Sequence, residues 1–350
     1  MRLPCKTPHI GRPHHQRGND VTQTFTHNAR LSVAPMMDWT DRHCRYFHRL
    51  MSRHALLYTE MVTSAALVNG EASRHLAYDA AEHPVALQLG GSDPAELAQA
   101  VKIAAPYGYD EINLNVGCPS DRVQSGCFGA VLMKTPQLVA DCVRAMQDAA
   151  TVEVTVKCRI GVDDQNPAEI LPAFLEQMAE AGVRRLTIHA RKAWLEGLSP
   201  KENRTIPPLD YALVRRMKEE FPNLHLSING GVEDLDAVAS HLRDGLDGVM
   251  VGRAAYHSPY VILGHADAVI FDDPRIALSA HEVADAMIPY AERHIAQGGR
   301  LHHVTRHILG LFSGQPGARA WRRILSTEAQ TADASPKVIA RAMQMMSEPA

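Results

Sequence analysis

One stretch decides the fold: residues 111–160 run EINLNVGCPSDRVQSGCFGAVLMKTPQLVADCVRAMQDAATVEVTVKCRI. The stretch holds an apolar β-type run at 111–117, a helical pattern that opens at Thr135-Pro136, and a second β-type run at 154–160. A strand, a helix and a strand in this order predict a β/α unit with two parallel strands.

The same alternation extends in both directions from this unit. The further β-type runs are LSVAP (31–35), LLYTEM (56–61), VALQLG (85–90), RRLTIHA (184–190), HLSING (225–230) and DGVMVGR (247–253). Eight β/α units in about 225 residues predict an α/β fold of the (β/α)8 TIM-barrel type. A doubly wound sheet is the alternative, but LSVAPMMDWTD after the first strand lacks the GxGxxG loop that such a sheet would use.

The pattern changes after about residue 265, where only helical periodicity remains. The helical segments are HEVADAMIPYAERHIAQGG (281–299), LHHVTRHILGLF (301–312), ARAWRRILS (318–326) and KVIARAMQMM (337–346), the last with Ser335-Pro336 as its expected N-cap and first turn. We therefore predict a loose tail at 1–28, a barrel domain at 29–264 and a small all-α C-terminal domain at 265–350.

Composition narrows the possible classes of protein. The 350 residues carry a net charge of −3, from 36 basic and 39 acidic side chains, which excludes nucleic-acid binding driven by overall charge. The sequence shows no apolar signal segment and no window of roughly eighteen apolar residues, so we expect a cytoplasmic protein and no membrane contact. The six cysteines form no CxxC pair, and we predict no metal site.

Two glycine loops follow the seventh and eighth predicted strands. Asn229-Gly230-Gly231 and Gly252-Arg253 stand where barrels most often bind phosphate through backbone N–H groups. A tight turn explains either loop equally well when it is taken alone. The two loops together, one with an arginine attached, favour a phosphorylated ligand.

Three further side chains are predicted to point into the barrel mouth. Lys157 and His189 would lie beside the pyrimidine edge of a flavin, where a cation stabilises the reduced ring, and Gln88 could hydrogen-bond the same ring. The alternatives are structural: a salt bridge for Lys157 and a buried core histidine at position 189. For each residue taken singly, the structural role is the favoured interpretation.

Cys118 follows the fourth predicted strand, in NVGCPSDRVQSGCFGA. At that rim a thiol could act as a nucleophile or, while it stays protonated, as a general acid. The other cysteines are expected to be inert small apolar residues; they are Cys5, Cys44, Cys127, Cys142 and Cys158.

The C-terminal helical segments are locally basic. Between Ala291 and Arg323 the only acid is Glu292, whereas arginine stands at positions 293, 300, 306, 319, 322 and 323. A solvated face is the usual explanation of such a run, and a docking surface for a polyanion is its competitor.

Several motifs together resemble the tRNA-dihydrouridine synthases over residues 28 to about 345. The motifs are APMMDWTDRHCR (34–45), MVTSAALVNG (61–70), VALQLGGSDP (85–94), INLNVGCPSDRVQSGCFGAVLM (112–133), VTVKCRIGVDD (154–164), SINGGV (227–232) and LFSGQPGARAWRR (311–323). The run HARKAWLEGLSPKENR (189–204) is similar to the A branch of that family, which acts at positions 20 and 20a of the tRNA D-loop.

The resemblance implies a role for each matched residue. The implied FMN contacts are Pro35, Met36, Met37, Gln88, Lys157, His189, Asn229, Gly230, Gly231, Gly252 and Arg253. The implied tRNA contacts are Asn115, Lys201, Arg204, Arg319 and Arg322. Cys118 becomes the proton donor.

The resemblance also implies a reaction. FMN reduced by NADPH would deliver hydride from its N5 to C6 of uridine, while Cys118 protonates C5, giving 5,6-dihydrouridine in tRNA. No obligate protein partner is expected. Two rivals stay open at this stage: a free-pyrimidine flavin oxidoreductase of the dihydroorotate type, and a catalytically inert tRNA-binding protein.

Overall fold

The computed structural model describes residues 27–120 and 127–346. The predicted tail at 1–28 lies outside these ranges except for its last two residues, and so does the middle of the motif that follows Cys118. Across the described ranges, no helix combines the length and the apolar character that crossing a bilayer requires.

In the described residues, nine parallel strands form one closed sheet. They are β1 (Leu31–Val33), β2 (Leu56–Tyr58), β3 (Val62–Thr63), β4 (Val85–Gly90), β5 (Glu111–Val116), β6 (Glu153–Arg159), β7 (Arg185–His189), β8 (His225–Asn229) and β9 (Gly248–Val251). The ring closes because β1 pairs with both β2 and β9, and β2 pairs with β4. The predicted (β/α)8 TIM barrel is confirmed, and each of the eight predicted strands is present.

The second strand differs in detail from its prediction, which had one run at 56–61. The chain leaves the sheet after Tyr58 and returns as the two-residue β3, which pairs with the distal end of β4. Between the two pieces, Glu60 accepts a hydrogen bond from the backbone N–H of Asp38, and Thr59 Oγ1 donates to the carbonyl of Glu60. One of these bonds is local and the other reaches across 22 residues, and both lie where the strand is interrupted.

Helices cover the outside of the ring. They are α1 (Arg42–Met51), α2 (Ser64–Asn69), α3 (Ala72–Leu76), α4 (Pro94–Ala104), α5 (Pro136–Ala149), α6 (Pro167–Glu180), α7 (Tyr211–Glu220), α8 (Leu235–Arg243), α9 (Arg253–His257), α10 (Pro259–Leu263) and α11 (Ala266–Ile270). Aspartate caps start several of them: Asp41, Asp93, Asp210 and Asp234 each accept N–H groups of the first turn. The main apolar core lies between these helices and the strands.

The C-terminal region is helical, as predicted. It contains α12 (Ala280–Ala296), α13 (Leu301–Ile308), α14 (Ala318–Glu328) and α15 (Lys337–Met343). Trp321 on α14 is fully buried, donates to the carbonyl of Ile308 at 3.0 Å and meets Phe312 edge-on. The expected cap at Ser335 is wrong by one residue, because Pro336 occupies the N-cap position without a side-chain bond.

The helical region packs on α1 of the barrel through aromatic and charged contacts. Tyr290 stacks on Tyr46 with ring centroids 4.0 Å apart and shares a 2.7 Å hydrogen bond with His43. Asp41 pairs with Arg306 at 2.6 Å and with His307 at 3.0 Å. The boundary at residues 264 and 265 stays a proposal.

Candidate active site at the barrel mouth

A chain of side-chain amides crosses the barrel below its mouth. Gln88 Nε2 donates to Asn113 Oδ1 at 2.8 Å, and Asn113 Nδ2 donates to Thr155 Oγ1 at 2.7 Å. Asn115 Nδ2 returns a 2.8 Å bond to Gln88 Oε1. These side chains alternate inward on β4, β5 and β6, so the strand pleat itself brings them together. The network fixes the amide of Gln88.

Cys118 lies on the rim, two residues past the end of β5. Asn115 Oδ1 accepts the N–H groups of Gly117 at 3.1 Å and Cys118 at 2.9 Å, and the carbonyl of Cys118 accepts from Ala130. The thiol is partly exposed and contacts Ser120 Oγ at 3.5 Å. The turn is therefore held on both sides of a thiol that solvent can reach.

The ammonium group of Lys157 reaches from β6 to β8 inside the barrel. Its Nζ donates to Asn229 Oδ1 at 3.1 Å, and Asn229 Nδ2 donates to the carbonyl of Met250. Burial, reinforced by the positive charge of Arg159, lowers the pKa of Lys157 to about 8. Within residues 27–120 and 127–346 no carboxylate pairs with Lys157. The alternative of a structural salt bridge therefore has no support in the described chain.

His189 ends β7 beside Arg159 and Asn229 in the sheet register. Burial, together with the charges of Arg159 and Lys157, lowers its pKa well below the ordinary value, so the ring is neutral at pH 7. Gly230 has a φ of +112°, and a Cβ there would come within 2.7 Å of the imidazole. Only glycine lets the backbone pass so close to His189.

The second glycine loop is open by comparison. Gly252 follows β9, and a Cβ there would meet Ala34 and Met36 at ordinary distances of 3.8 and 3.9 Å. Packing within the described chain therefore leaves space for a Cβ at this position. Met36 lies against this space, whereas Met37 is 57% exposed.

One guanidinium ties the rim loops together. Arg159 Nε donates to the carbonyl of Gly117 at 2.9 Å, and Nη1 donates to the carbonyls of Lys192 and Asn203, both at 3.0 Å. Arg253 Nη2 in turn donates to the carbonyl of Arg204 at 3.2 Å. The turn that carries Cys118 and the loop at 190–204 are thus joined by direct hydrogen bonds.

Not every arginine of the predicted basic face of the helical region is free to bind a polyanion. Arg319, Arg322 and Arg323 are exposed on α14, opposite the buried Trp321, as the spacing predicted. Arg306 instead pairs with Asp41. The face open to a polyanion is therefore narrower than the sequence indicated.

Comparison with known proteins agrees with this architecture. The family described as dihydrouridine synthase matches residues 32–346. The chain belongs to that family. A tRNA-dihydrouridine(20/20a) synthase of Escherichia coli (strain K12) is 56% identical over 322 residues, 92% of each chain. A protein of the same name from Shewanella oneidensis is 54% identical, over 93% of this chain and 96% of its own length.

In this dihydrouridine synthase the predicted residues fall into two groups. The barrel mouth brings together Gln88, Asn115, Cys118, Lys157, His189, Asn229 and the glycine loops, with Arg253 joined to Arg204. Arg319 and Arg322 stand on α14 of the helical region instead. Lys201 is exposed next to a short 3-10 turn, Glu202–Arg204.

The charges at the mouth suit an anionic ligand. Lys157 has no counter-charge among the described residues, and the buried Nε of Arg191 has no hydrogen-bond partner there. Both groups would be satisfied by a bound anion. That Lys157 and the other mouth residues hold a flavin stays a prediction, and Arg191 was not among the residues predicted for that site.

The sequence reasoning missed Arg159 and Asn203. Arg159 lies two residues after Lys157, at the inward spacing of a strand, and that period was the available signal. Asn203 is fully buried and gave no such signal, because its partners Trp194, Leu198 and Ser199 all lie within an irregular loop.

Proposed function

We propose that this chain reduces the 5,6 double bond of uridine in the tRNA D-loop, at positions 20 and 20a, using FMN that NADPH re-reduces. The observation that supports this proposal most is the barrel mouth itself. It holds a buried cation, Lys157, that has no acidic partner in the described residues, and a solvent-accessible thiol, Cys118, on its rim. Chains that share more than half of their residues with this one bear the name of that activity.

Each mouth residue has a proposed task. When bound, FMN would supply the hydride that C6 of the uracil receives. Lys157, His189 and Gln88 would hold the polar edge of the ring, and Asn229 orients Lys157. Gly230, Gly231, Gly252 and Arg253 would bind the phosphate, and the turn of Pro35, Met36 and Met37 would line the ring.

Cys118 gives its thiol proton to C5 of the uracil. A general acid must hold its proton until substrate arrives, and the weak bond between Cys118 Sγ and Ser120 Oγ keeps the thiol oriented. The thiolate left behind lies within electrostatic range of the side chains of Lys157, Arg159 and Arg204.

The substrate has to be turned out of the folded RNA, because a stacked base cannot reach a site inside a barrel. Asn115, Lys201 and Arg204 surround the mouth, and Arg319 and Arg322 hold phosphates on the helical region. A cytoplasmic location, where tRNA and NADPH meet, belongs to the same proposal.

The test is a reaction with purified protein, NADPH and unmodified tRNA transcript, followed by mapping of dihydrouridine along the RNA. We expect a yellow protein and product at positions 20 and 20a. A colourless protein that does not bind added FMN would contradict the flavin role. Equal reduction of free pyrimidines such as orotate would point instead to the dihydroorotate type.

A further inference from the structure

Trp194 is a rigidly held aromatic ring at the surface. It is 37% exposed, whereas Trp321 is buried and Trp39 stacks on Tyr256 at 4.5 Å. Asn203 binds both backbone groups of Trp194: its Oδ1 accepts the Trp194 N–H at 2.7 Å, and its Nδ2 donates to the Trp194 carbonyl at 2.9 Å. An exposed tryptophan on a clamped backbone loses little entropy when it binds a partner.

The loop that carries Trp194 stands above the mouth. Its neighbour Ala193 forms a parallel bridge with Val162, beyond the carboxyl ends of β6 and β7. Arg159 reaches from the carbonyl of Gly117, next to Cys118, to the carbonyls of Lys192 and Asn203. The guanidinium of Arg159 therefore links this loop directly to the turn that holds the thiol.

The charge around Trp194 suits a nucleic-acid strand. Lys192 Nζ lies 5.1 Å from the centroid of the Trp194 ring and donates to the carbonyl of Asp163 at 2.6 Å. Lys201 and Arg204 are exposed on the same loop. The loop also exposes Glu196 and Glu202, so its basic character rests on Arg191, Lys192, Lys201 and Arg204 together. Cations beside an exposed aromatic ring are the combination that binds unpaired bases by stacking while it attracts their phosphates.

We propose that Trp194 is a stacking platform for an unpaired nucleobase adjacent to the target uridine, and that Asn203 is the positioning residue that holds it. This inference rests on the proposed function, because it takes the RNA strand at the mouth as given. Stacking on Trp194 stabilises the strand after the target base has left its own stack.

The experiment compares tRNA affinity of Trp194→Ala, Trp194→Phe and the parent at several salt concentrations. Trp194→Ala should weaken binding about tenfold at every salt concentration, since stacking releases no counterions, and Trp194→Phe should recover most of the loss. Lys201→Ala should instead flatten the salt dependence. Ile276→Ala, which removes an isolated side chain that is 92% exposed, is the matched control and should bind like the parent.

Asn203 is tested by a double-mutant cycle. Asn203→Asp keeps the acceptor for the Trp194 N–H and removes the donor that serves the carbonyls of Trp194, Leu198 and Ser199. It should raise the KM for tRNA with little change in kcat, and it should add little to Trp194→Ala. Fully additive losses, or parent-like affinity of Trp194→Ala, would overturn the inference.

Failure of the two proposals is distinguishable. A parent protein that neither binds tRNA nor forms dihydrouridine contradicts the proposed function. A parent that binds and reduces tRNA, beside a Trp194→Ala variant with the same FMN content and the same affinity, contradicts only the stacking role.

Discussion

The two ends of the barrel interior both hold charged side chains, yet they are built differently. At the amino end, Arg185 pairs with Glu153 at 3.1 Å and with Glu111, which also accepts from Tyr58 at 2.6 Å. At the carboxyl end, Lys157 and Arg159 have no acidic partner in the described residues and donate to neutral oxygens.

The paired charges at the amino end stabilise the fold, whereas the unpaired charges at the carboxyl end lie at the candidate site. Burial opposes the charge of Arg185, but the carboxylates of Glu111 and Glu153 more than offset it and raise its pKa. At the mouth the neighbouring thiols of Cys158 and Cys118 oppose burial too weakly to offset it, and the pKa of Lys157 falls to about 8. A compensated charge closes the bottom of the barrel, whereas an uncompensated one at the mouth is available to a ligand.

The sharpest way to break this comparison is to remove one cation from each end. Arg185→Met leaves Glu111 buried without its counter-charge and should lower the free energy of unfolding by about 3–5 kcal/mol. Lys157→Met should change that free energy by less than about 1 kcal/mol and lose bound flavin. Urea unfolding of the flavin-free proteins measures both effects, and equal destabilisation would remove the distinction.

The next largest effect concerns the rim thiol. Cys118→Ala should retain flavin and lose about 100-fold or more in the rate of uridine reduction, because a general acid contributes about that factor. Single-turnover dihydrouridine formation measures it. Cys127→Ala, an exposed cysteine past the loop, is the control and should stay near the parent. Full activity of Cys118→Ala would remove the proposed acid.

The exposed cations of α14 extend the comparison to the surface. Arg319→Ala with Arg322→Ala should weaken tRNA binding about tenfold at low salt and less at high salt. The matched control removes the half-buried Arg215 and the exposed Arg216 on α7, which pair with Asp244 and Glu220. If both double variants bind alike, the α14 face is only a solvated surface.

The smallest predicted effect is the uptake of a proton when FMN binds. Lys157 without a ligand is mostly neutral at pH 9, since its pKa is about 8, and an anionic neighbour would raise that pKa. FMN binding should therefore take up nearly one proton at pH 9 and weaken about fivefold between pH 8 and pH 9. Calorimetry in buffers of different ionisation enthalpy measures the uptake, and Lys157→Met should abolish it.

The fold could be predicted from the sequence because its signals are local. Apolar strand runs, proline at helix starts and glycine at stops all act within a few residues, as Asp93-Pro94 at α4 and Gly298 after α12 illustrate. The break between β2 and β3 could not be predicted, because it depends on Glu60 reaching the backbone of Asp38.

The site was predictable where a residue has a fixed place on a strand end, as for Lys157, His189 and Cys118. What the sequence could not reveal is pairing across the chain. Arg306 belongs to the basic run but pairs with Asp41, which lies 265 positions away. Asn203 binds Trp194 within an irregular loop. Such contacts depend on tertiary structure that no local pattern encodes.

The contact of Asp41 with Arg306 and His307 has one more consequence. It anchors the helical region to the first barrel helix, so rotation between the two would break a close ion pair. Under the proposed function, the span from α14 to Cys118 would then have a fixed length. For a polymer that contacts both ends, such a span would select which unit along the strand reaches the thiol.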